Sequence, residues 1–285
     1  MASFELVEPH SLPEAFDLLD DDPAIRPIGG GTALMLMMKS QLFKPVRLVS
    51  LRSVGPRLDG ISLSDDATHI RIGAMTTFSE LEHSPLIAKY LPVIPQTMKT
   101  LANVRVRNVA TVGGNLAHGD PHLDLPPVWT ALDASVVISS PDGMRTVPVQ
   151  EIFAGYYENT LSYNEIITEL HVPVRSAWTS TYVKVTTRAA HDWPALSIAV
   201  SGACEDRHVK DIRIVLGAAV DTPTRLASAE NALRGKPVDE RVLHEAGDAA
   251  ISEVDIEADS RGSAAYKKQL LRVHLGRAMQ AIAGV

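Results

Sequence analysis

Cysteine is almost absent from this sequence, whose 285 residues include a single one, Cys204. One thiol cannot form an intrachain disulfide, a structural zinc site or an iron–sulfur cluster. Any such cluster that the protein uses must therefore be carried by another chain. Cys204 ends an apolar run, residues 195–204, which predicts a buried and inert thiol.

Long apolar runs and long basic runs are also missing. No stretch approaches the roughly 18 consecutive apolar residues of a membrane span, so we expect none. Residues 1–9 include acids but no basic segment, which argues against a signal peptide. The net charge of −7 argues against nucleic acid as the main partner. These absences predict a cytoplasmic globular protein.

The signatures of several common enzyme classes are absent as well. There is no Gly-x-Ser-x-Gly nucleophile elbow, and no glycine run continues into the Gly-Lys-Ser/Thr of a Walker A loop. A Rossmann fingerprint from Gly29 would need glycine or alanine where Leu34 stands. His118 and His122 are separated by Pro121, which breaks the helical pairing that a metal site would need. We expect both histidines to lie in a surface loop.

The periodic patterns that are present indicate a mixture of helices and strands. Two capping boxes, Ser11 with Glu14 and Thr77 with Glu80, predict helix starts. An apolar helical run follows at 86–101, interrupted by Pro92 and Pro95. Further helices are predicted after Asp124, at 224–233 and after Ser263. Strands are predicted at 26–28, 46–51, 69–74, 135–139, 145–149, 166–172, 181–187, 196–204 and 209–220.

The order of these elements predicts an α+β protein with two domains. Composition changes around 173–180, and three strand-like runs followed by helices come after it. We place the boundary near Ser176, with a first domain at 1–175 (subparts about 1–55 and 56–175) and a second at 176–285. The second is expected to hold a three-stranded antiparallel sheet and helices.

A glycine run, Gly29 to Gly31, lies between a strand-like and a helix-like segment. Glycines let the backbone approach a phosphate closely, and amides at a helix start face an anion. The run also fits a simple turn. It therefore indicates a phosphate loop only in combination with other features.

A second loop is more informative. It reads Ala-Thr-Val-Gly-Gly-Asn-Leu-Ala at 110–117, is predicted to be irregular from 108 to 121, and leads to Asp124. The Thr111 hydroxyl, the Asn115 amide and backbone N–H groups suit phosphates, and a carboxylate suits a polyol. These groups together predict a site for a diphosphate that carries polyols, although Asp124 also fits a plain helix cap.

These motifs resemble those of the FAD-binding (medium) subunits of the xanthine dehydrogenase and carbon monoxide dehydrogenase family. The resemblance covers nearly the whole chain. Four segments carry it in the family's order and spacing, namely 28–32 with Met38-Lys39, 110–127, 165–173 and 184–193. Some relatives hold an additional iron–sulfur cluster on this subunit, which the lone Cys204 excludes here.

The resemblance implies a fold and a site. It implies a two-part N-terminal FAD-binding domain of the vanillyl-alcohol oxidase-like type, a C-terminal α+β domain and FAD in the cleft between them. Asp192 and Trp193 fall where the family places residues beside the isoalloxazine. The other implied FAD contacts are Arg26, Pro27, Ile28, Gly29, Gly30, Gly31, Thr32, Ala33, Leu101, Ala110, Thr111, Gly113, Gly114, Asn115, Asp124, Ile167 and Lys184.

The resemblance also implies a function within a complex. A large molybdopterin subunit hydroxylates the substrate, a small subunit holds two [2Fe-2S] clusters, and this chain passes their electrons through FAD to an acceptor. The complex is expected to be a dimer of heterotrimers. This chain then holds no acid–base catalytic residue and no metal. Two rival interpretations are a stand-alone flavin oxidoreductase and a non-catalytic assembly subunit that has lost FAD.

Overall fold

A computed structural model describes residues 3–55 and 58–284. The strands are β1 (Glu5–Val7), β2 (Ile25–Ile28), β3 (Arg47–Ser50), β4 (Ile61–Leu63), β5 (His69–Gly73), β6 (Ser135–Ser140), β7 (Gly143–Pro148), β8 (Phe153–Gly155), β9 (Glu158–Asn159), β10 (Ile166–Pro173), β11 (Thr179–Val185), β12 (Leu196–Glu205), β13 (His208–Gly217) and β14 (Thr224–Arg225).

The α-helices are α1 (Leu12–Leu18), α2 (Thr32–Lys39), α3 (Phe78–His83), α4 (Pro85–Tyr90), α5 (Val93–Met98), α6 (Val104–Arg107), α7 (Val112–His118), α8 (Leu125–Ala131), α9 (Ala227–Leu233), α10 (Glu240–Glu253) and α11 (Ala264–Ala283). A 3₁₀ turn spans Val149–Ile152.

The first sheet is small and parallel, with the order β1-β3-β2. Helix α1 begins as predicted, because the Ser11 hydroxyl accepts the Glu14 N–H at 3.3 Å. The Glu14 carboxylate accepts the N–H of His10 at 2.7 Å instead of that of Ser11, so the predicted capping box is only half formed. Helix α2 connects β2 to β3 and begins directly after the glycine run.

The second sheet is antiparallel, with the order β4-β5-β10-β6-β7. The hairpin predicted around 141–143 joins β6 to β7. The predicted helix at 86–101 is divided into α4 and α5 at Pro92, in agreement with the effect of proline on helices. The capping box of Thr77 and Glu80 is fully formed at the start of α3.

The region predicted to be irregular, 108–121, contains helix α7, so that prediction was wrong. The Thr111 hydroxyl accepts the Gly114 N–H at 3.2 Å and caps the helix, and Gly119 ends it with a φ of 69°. Neither Gly113 nor Gly114 has a positive φ. Two adjacent glycines resemble a loop in sequence, but here they occupy the first turn of a capped helix.

The third sheet is antiparallel, with the order β11-β12-β13-β14. Its first three strands are the predicted ones, and the two-residue strand β14 adds a fourth. The segment predicted as a helix at 224–233 therefore begins as strand and becomes helical only at Ala227. The last helix is capped as predicted by Ser263, whose hydroxyl accepts the Tyr266 N–H at 3.2 Å.

The hydrophobic interior forms three clusters. The largest includes both α8, which is buried along its whole length, and Ala199 and Val215 of the third sheet. The third sheet therefore packs on α8, and the start of α8 lies where the N-terminal and C-terminal parts meet. Cys204 is half-buried at the end of β12, so the predicted full burial was wrong. No helix among the described residues is long and apolar enough to cross a membrane.

Candidate functional site

The two glycine loops contact each other. A β-carbon built on Gly29 would lie 2.8 Å from the Thr111 hydroxyl oxygen, and one built on Gly30 would overlap the Val109 carbonyl oxygen. Both positions must therefore lack a side chain for the loops to approach. The structure thus brings the first predicted motif, 28–32, against the second, 110–117.

The second loop is held in place by the segment before α3. The Phe78 N–H donates to the Ala110 carbonyl at 3.0 Å, and the Gly113 N–H donates to the Ala74 carbonyl at 2.7 Å. A β-carbon on Gly113 would lie 2.7 Å from the β-carbon of Ala74. The glycine at 113 is therefore required by this close approach of two backbones.

Unpartnered polar groups lie at the two loops. Helix α2 has Gly31 at its N-cap, in the left-handed conformation with a φ of 70°, and no side chain caps it. The first N–H groups of a helix have no acceptor within it. In α7, the side-chain oxygen of Asn115 is buried and accepts no hydrogen bond from the described residues. A buried acceptor without a donor is costly, which points to a ligand at this position.

A cleft of about 400 Å³ opens beside the contact between the loops. Its wall includes Gly29, Gly30 and Thr111 together with apolar side chains. Its ionisable side chains are one base, Arg52, and two acids, Asp59 and Glu80. The cleft is partly open to solvent, and the glycine loops form part of its wall.

Asp124 and Lys184 form a buried ion pair. Their side chains are 8% and 5% exposed, and Lys184 Nζ lies 3.0 Å from Asp124 Oδ2. The Tyr182 hydroxyl donates to Asp124 Oδ1 at 2.6 Å, and Lys184 Nζ also donates to the Thr100 carbonyl at 3.1 Å, next to Leu101. Asp124 makes no side-chain bond to the start of α8. The interpretation of Asp124 as a helix cap was therefore wrong.

The pKa of the Asp124 carboxyl is raised by burial, although Lys184 and Tyr182 act in the opposite direction. Burial also raises the pKa of the Tyr182 hydroxyl, and the neighbouring Asp124 adds to that effect. An ion pair whose charges are this deeply desolvated contributes little net stability. Groups with perturbed pKa values cluster at functional sites, and buried ion pairs in structural networks show the same perturbation.

Trp193 lies against the N-terminal part of the chain. Its ring stacks on His122 with centroids 5.3 Å apart and planes 13° apart, while its side chain remains half-exposed. The Arg261 guanidinium lies 5.5 Å from the centre of the Trp193 ring and 3.3 Å from His122 Nε2. Asp192 stabilises the turn at 189–192, because its carboxylate accepts the Ala189 N–H at 3.1 Å.

The two loop histidines do not lie on the surface as predicted. His122 is 7% exposed, and its Nδ1 lies 3.1 Å from Asp120 Oδ1. Burial alone raises the pKa of Asp120, but hydrogen bonds from His122 and Tyr157 outweigh it and leave that pKa below its usual value. His118 is half-buried at the end of α7, with the Tyr157 ring edge against it.

The burial of His118 predicts a loss of stability in mild acid. Burial lowers its pKa from 6.5, and Asp120 opposes this only in part. The unfolded chain therefore takes up the proton first, so the free energy of unfolding should fall from about pH 7 to about pH 5. Urea titrations across this range should show a shallower fall for His118→Gln.

The control for this prediction is His191→Gln, at an exposed site, which should leave the slope unchanged. Burial also lowers the pKa of His274, so some slope remains in the His118 variant. An identical slope in the His118 variant and the parent would contradict the prediction.

The other predicted residues lie outside the three groups just described, namely the two glycine loops, the buried ion pair and the stacked Trp193 and His122 rings. Arg26 is exposed on β2, while Leu101 and Ile167 are buried in the largest cluster.

Sequence reasoning missed Tyr182, His122 and Arg261. Tyr182 lies two residues before Lys184 on the same strand, and this alternation places both side chains on one face of the sheet. No comparable signal exists for Arg261. Among the described residues, no group of three or more His, Cys, Asp or Glu side chains is arranged to hold a metal ion.

Family comparison covers almost the whole chain. A family model described as the FAD binding domain in molybdopterin dehydrogenase matches residues 2–175. A second model, described as the CO dehydrogenase flavoprotein C-terminal domain, matches residues 181–282.

Individual proteins agree with the family models. The carbon monoxide dehydrogenase medium chain of Hydrogenophaga pseudoflava is 33% identical, over 98% of this chain and 96% of that protein. The nicotine 6-hydroxylase medium subunit of Paenarthrobacter nicotinovorans is 31% identical, over 95% and 94%. Among solved structures, a carbon monoxide dehydrogenase from Hydrogenophaga pseudoflava matches with a TM-score of 0.93 and 34% identity, covering 99% of this chain and 97% of that one.

Proposed function

Because the chain belongs to the family of FAD-binding domains of molybdopterin dehydrogenases, we propose that it is the electron-transferring FAD subunit of a molybdenum hydroxylase complex. Bound FAD supplies the redox chemistry, taking electrons from [2Fe-2S] clusters on a small partner subunit and passing them to an external acceptor. A large partner subunit carries the molybdopterin. We place the complex in the cytoplasm, as a dimer of heterotrimers.

The contact between the two glycine loops is the observation that supports this proposal most directly. The uncapped start of α2 provides hydrogen-bond donors at the first loop, and the orphaned oxygen of Asn115 provides an acceptor at the second. A diphosphate needs donors and a ribityl chain offers hydroxyl donors, so FAD fits these residues. We assign the diphosphate to 26–33 and to the loop of Ala110, Thr111, Gly113 and Gly114.

We propose that the buried pair of Asp124 and Lys184 contacts FAD, as the resemblance implies, and also fixes the cleft around it. Each residue neutralises the other, and Lys184 ties the β11 strand to the Thr100 carbonyl beside Leu101. The pair therefore fixes the C-terminal sheet against the N-terminal part at the predicted cleft. We propose that Ile167 and Leu101 complete the apolar wall of that cleft. The domain boundary is proposed near Ser176, between the residue ranges that the two family models match.

Trp193 is proposed to present a rigid aromatic surface to the isoalloxazine. The stacked His122 ring supports one face of the indole, and the Arg261 guanidinium lies over the indole ring, 5.5 Å from its centre. An aromatic side chain restrained in this way stacks on a planar ring at low entropic cost. Asp192 shapes the loop that carries Trp193.

The experiment uses the complex as it is assembled by co-expression with its two partner chains. FAD released by acid, iron and molybdenum are measured per chain, and electron transfer is followed from reduced clusters to an artificial acceptor. In Asn115→Leu we expect FAD retention about tenfold weaker, because a hydrogen bond to the ligand is lost and an apolar group replaces it. The clusters should still be reduced, while the rate of transfer to the acceptor should fall in proportion to the FAD content.

The matched control is Asn231→Leu on an exposed part of α9, which should leave FAD content and transfer unchanged. A chain that purifies without the partners and turns over a substrate alone would instead support a stand-alone flavin enzyme. A complete complex without FAD would support a non-catalytic assembly subunit.

A further inference from the structure

Helix α2 consists almost entirely of apolar residues, yet it belongs to none of the three hydrophobic clusters of the described residues. Its sequence is Thr-Ala-Leu-Met-Leu-Met-Met-Lys, and only Met38 is buried. None of the three clusters formed by the described residues contains a side chain of this helix. A helix of this composition is stable in water when another surface covers it. The described part of the chain buries Met38 and covers residues 32–35 and 37 only in part, and it leaves Leu36 exposed.

The exposed apolar surface continues beyond the helix. The Leu42 N–H donates to the Met37 carbonyl at 2.9 Å, which folds the next turn back onto the end of α2. The Glu5 N–H donates to the Val46 carbonyl at 2.9 Å and brings β1 alongside. We call this surface the α2 face, and its most exposed members are Leu6 (55%), Leu36 (64%), Leu42 (77%) and Val46 (58%). A group of exposed apolar side chains of this kind is typical of an interaction site.

Basic side chains predominate in the segment that forms most of the α2 face. The chain carries a net charge of −7, yet the stretch from 23 to 58 contains no Asp or Glu and six basic residues. Arg26, Lys39 and Lys44 are exposed and make no ion pair with the described residues, whereas Arg47 is bound to Glu5. An apolar centre with a basic rim matches a protein surface that is apolar at its centre and acidic at its edge.

We infer that the α2 face is the docking surface for the iron–sulfur subunit of the complex. The inference rests on the proposed function, because electrons must enter from a chain that lies close to the flavin. Helix α2 begins at the proposed phosphate loop and has eight residues, so it extends only about 12 Å from that loop. A chain seated on this face therefore lies next to the bound cofactor. The large subunit, which holds the substrate pocket, has no such need.

The first test places a photo-crosslinking amino acid at position 42 in the co-expressed complex. We expect a crosslink to the iron–sulfur subunit. The same group at Met144, 78% exposed on β7 in a different sheet, is the control and should not give that product. A crosslink from position 42 to the large subunit or to a second copy of this chain overturns the inference.

The second test measures affinity. In Leu36→Glu and Leu42→Glu, the iron–sulfur subunit should bind at least tenfold more weakly, because a carboxylate enters an apolar contact and meets an acidic rim. In Met144→Glu the affinity should not change. Unaltered affinity in both α2-face variants overturns the inference.

FAD content separates this inference from the proposed function. Leu36 and Leu42 lie outside the assigned FAD contacts, so both variants should retain FAD. A parent complex without FAD would refute the proposed function whatever the docking result. Binding of the parent chain to vesicles of phosphatidylcholine and phosphatidylglycerol, abolished by Leu42→Glu, would identify the α2 face as a membrane-binding surface and overturn the inference.

Discussion

Replacing Gly30 with valine should remove FAD from the complex and destabilise the chain. A β-carbon at this position overlaps the Val109 carbonyl oxygen, and backbone cannot move aside as a side-chain end can. Overpacking alone costs about 1–3 kcal/mol, and separation of the two loops removes the proposed diphosphate site as well. We expect the variant to hold less than about a tenth of the parent's FAD. We also expect its free energy of unfolding to be lower by about 1–3 kcal/mol.

Acid release of FAD and urea unfolding measure the two effects. Gly276→Val is the control, since a β-carbon on Gly276 meets nothing within 4 Å. It should retain FAD fully. If Gly30→Val keeps both FAD and stability, the contact between the loops is not required and the assignment of 26–33 must be withdrawn.

Lys184→Met should be the most destabilising single change in the candidate site. It leaves the Asp124 carboxylate buried without its cation, and breaking a buried pair from one side costs about 3–5 kcal/mol. The Asp124→Asn/Lys184→Met double variant should recover much of this loss, because no charge is then left uncompensated. Urea unfolding of the four members of the cycle measures the coupling.

Lys210→Met provides a matched control. Lys210 pairs with Glu205 at 2.9 Å, but both side chains are more than half exposed. Pairs in water contribute about 0–1 kcal/mol, so this variant should change the free energy of unfolding by less than that. A similarly small change in the free energy of unfolding for Lys184→Met would contradict the prediction, since the buried pair would then not be needed for stability.

Much of the fold could be predicted from the sequence because several strands are short apolar runs bounded by turn residues. The hairpin around 141–143 and the strand after 166 agree with the structure to within one or two residues. The family, its α+β fold and its FAD cofactor were also predicted from motifs and are confirmed by the comparisons. Residue type alone identifies the two loops, whereas their contact is visible only in the structure.

The failures have local physical causes. Helix α7 has two glycines in its first turn that resemble a loop, and only the Thr111 cap and Gly119 indicate a helix. The short strand β14 has two residues, too few for alternation to be visible. In both places the local pattern is overridden by hydrogen bonds to neighbouring residues and strands.

Other features could not be read from the sequence because distant segments create them. Asp124 has the spacing of a helix cap, but Lys184 and Tyr182, some 60 residues later, attract its carboxylate. His122 is buried because Trp193 covers it. Arg261 reaches both from a turn near the last helix, and the sequence gives no sign of this. Such positions depend on tertiary packing, which local sequence patterns do not predict.

The central place of β10 in the second sheet has a consequence for biosynthesis. This strand lies between β5 and β6, yet it follows β5 by roughly 90 residues, which a ribosome takes roughly 5–20 s to add. Until then the nascent chain holds two partial sheets, each with an unpaired edge that invites pairing with another chain. A polypeptide interrupted before Ile166 would retain both glycine motifs and Asp124 but lack the strand that joins the sheet. We therefore expect truncated products of this length to aggregate or to be degraded.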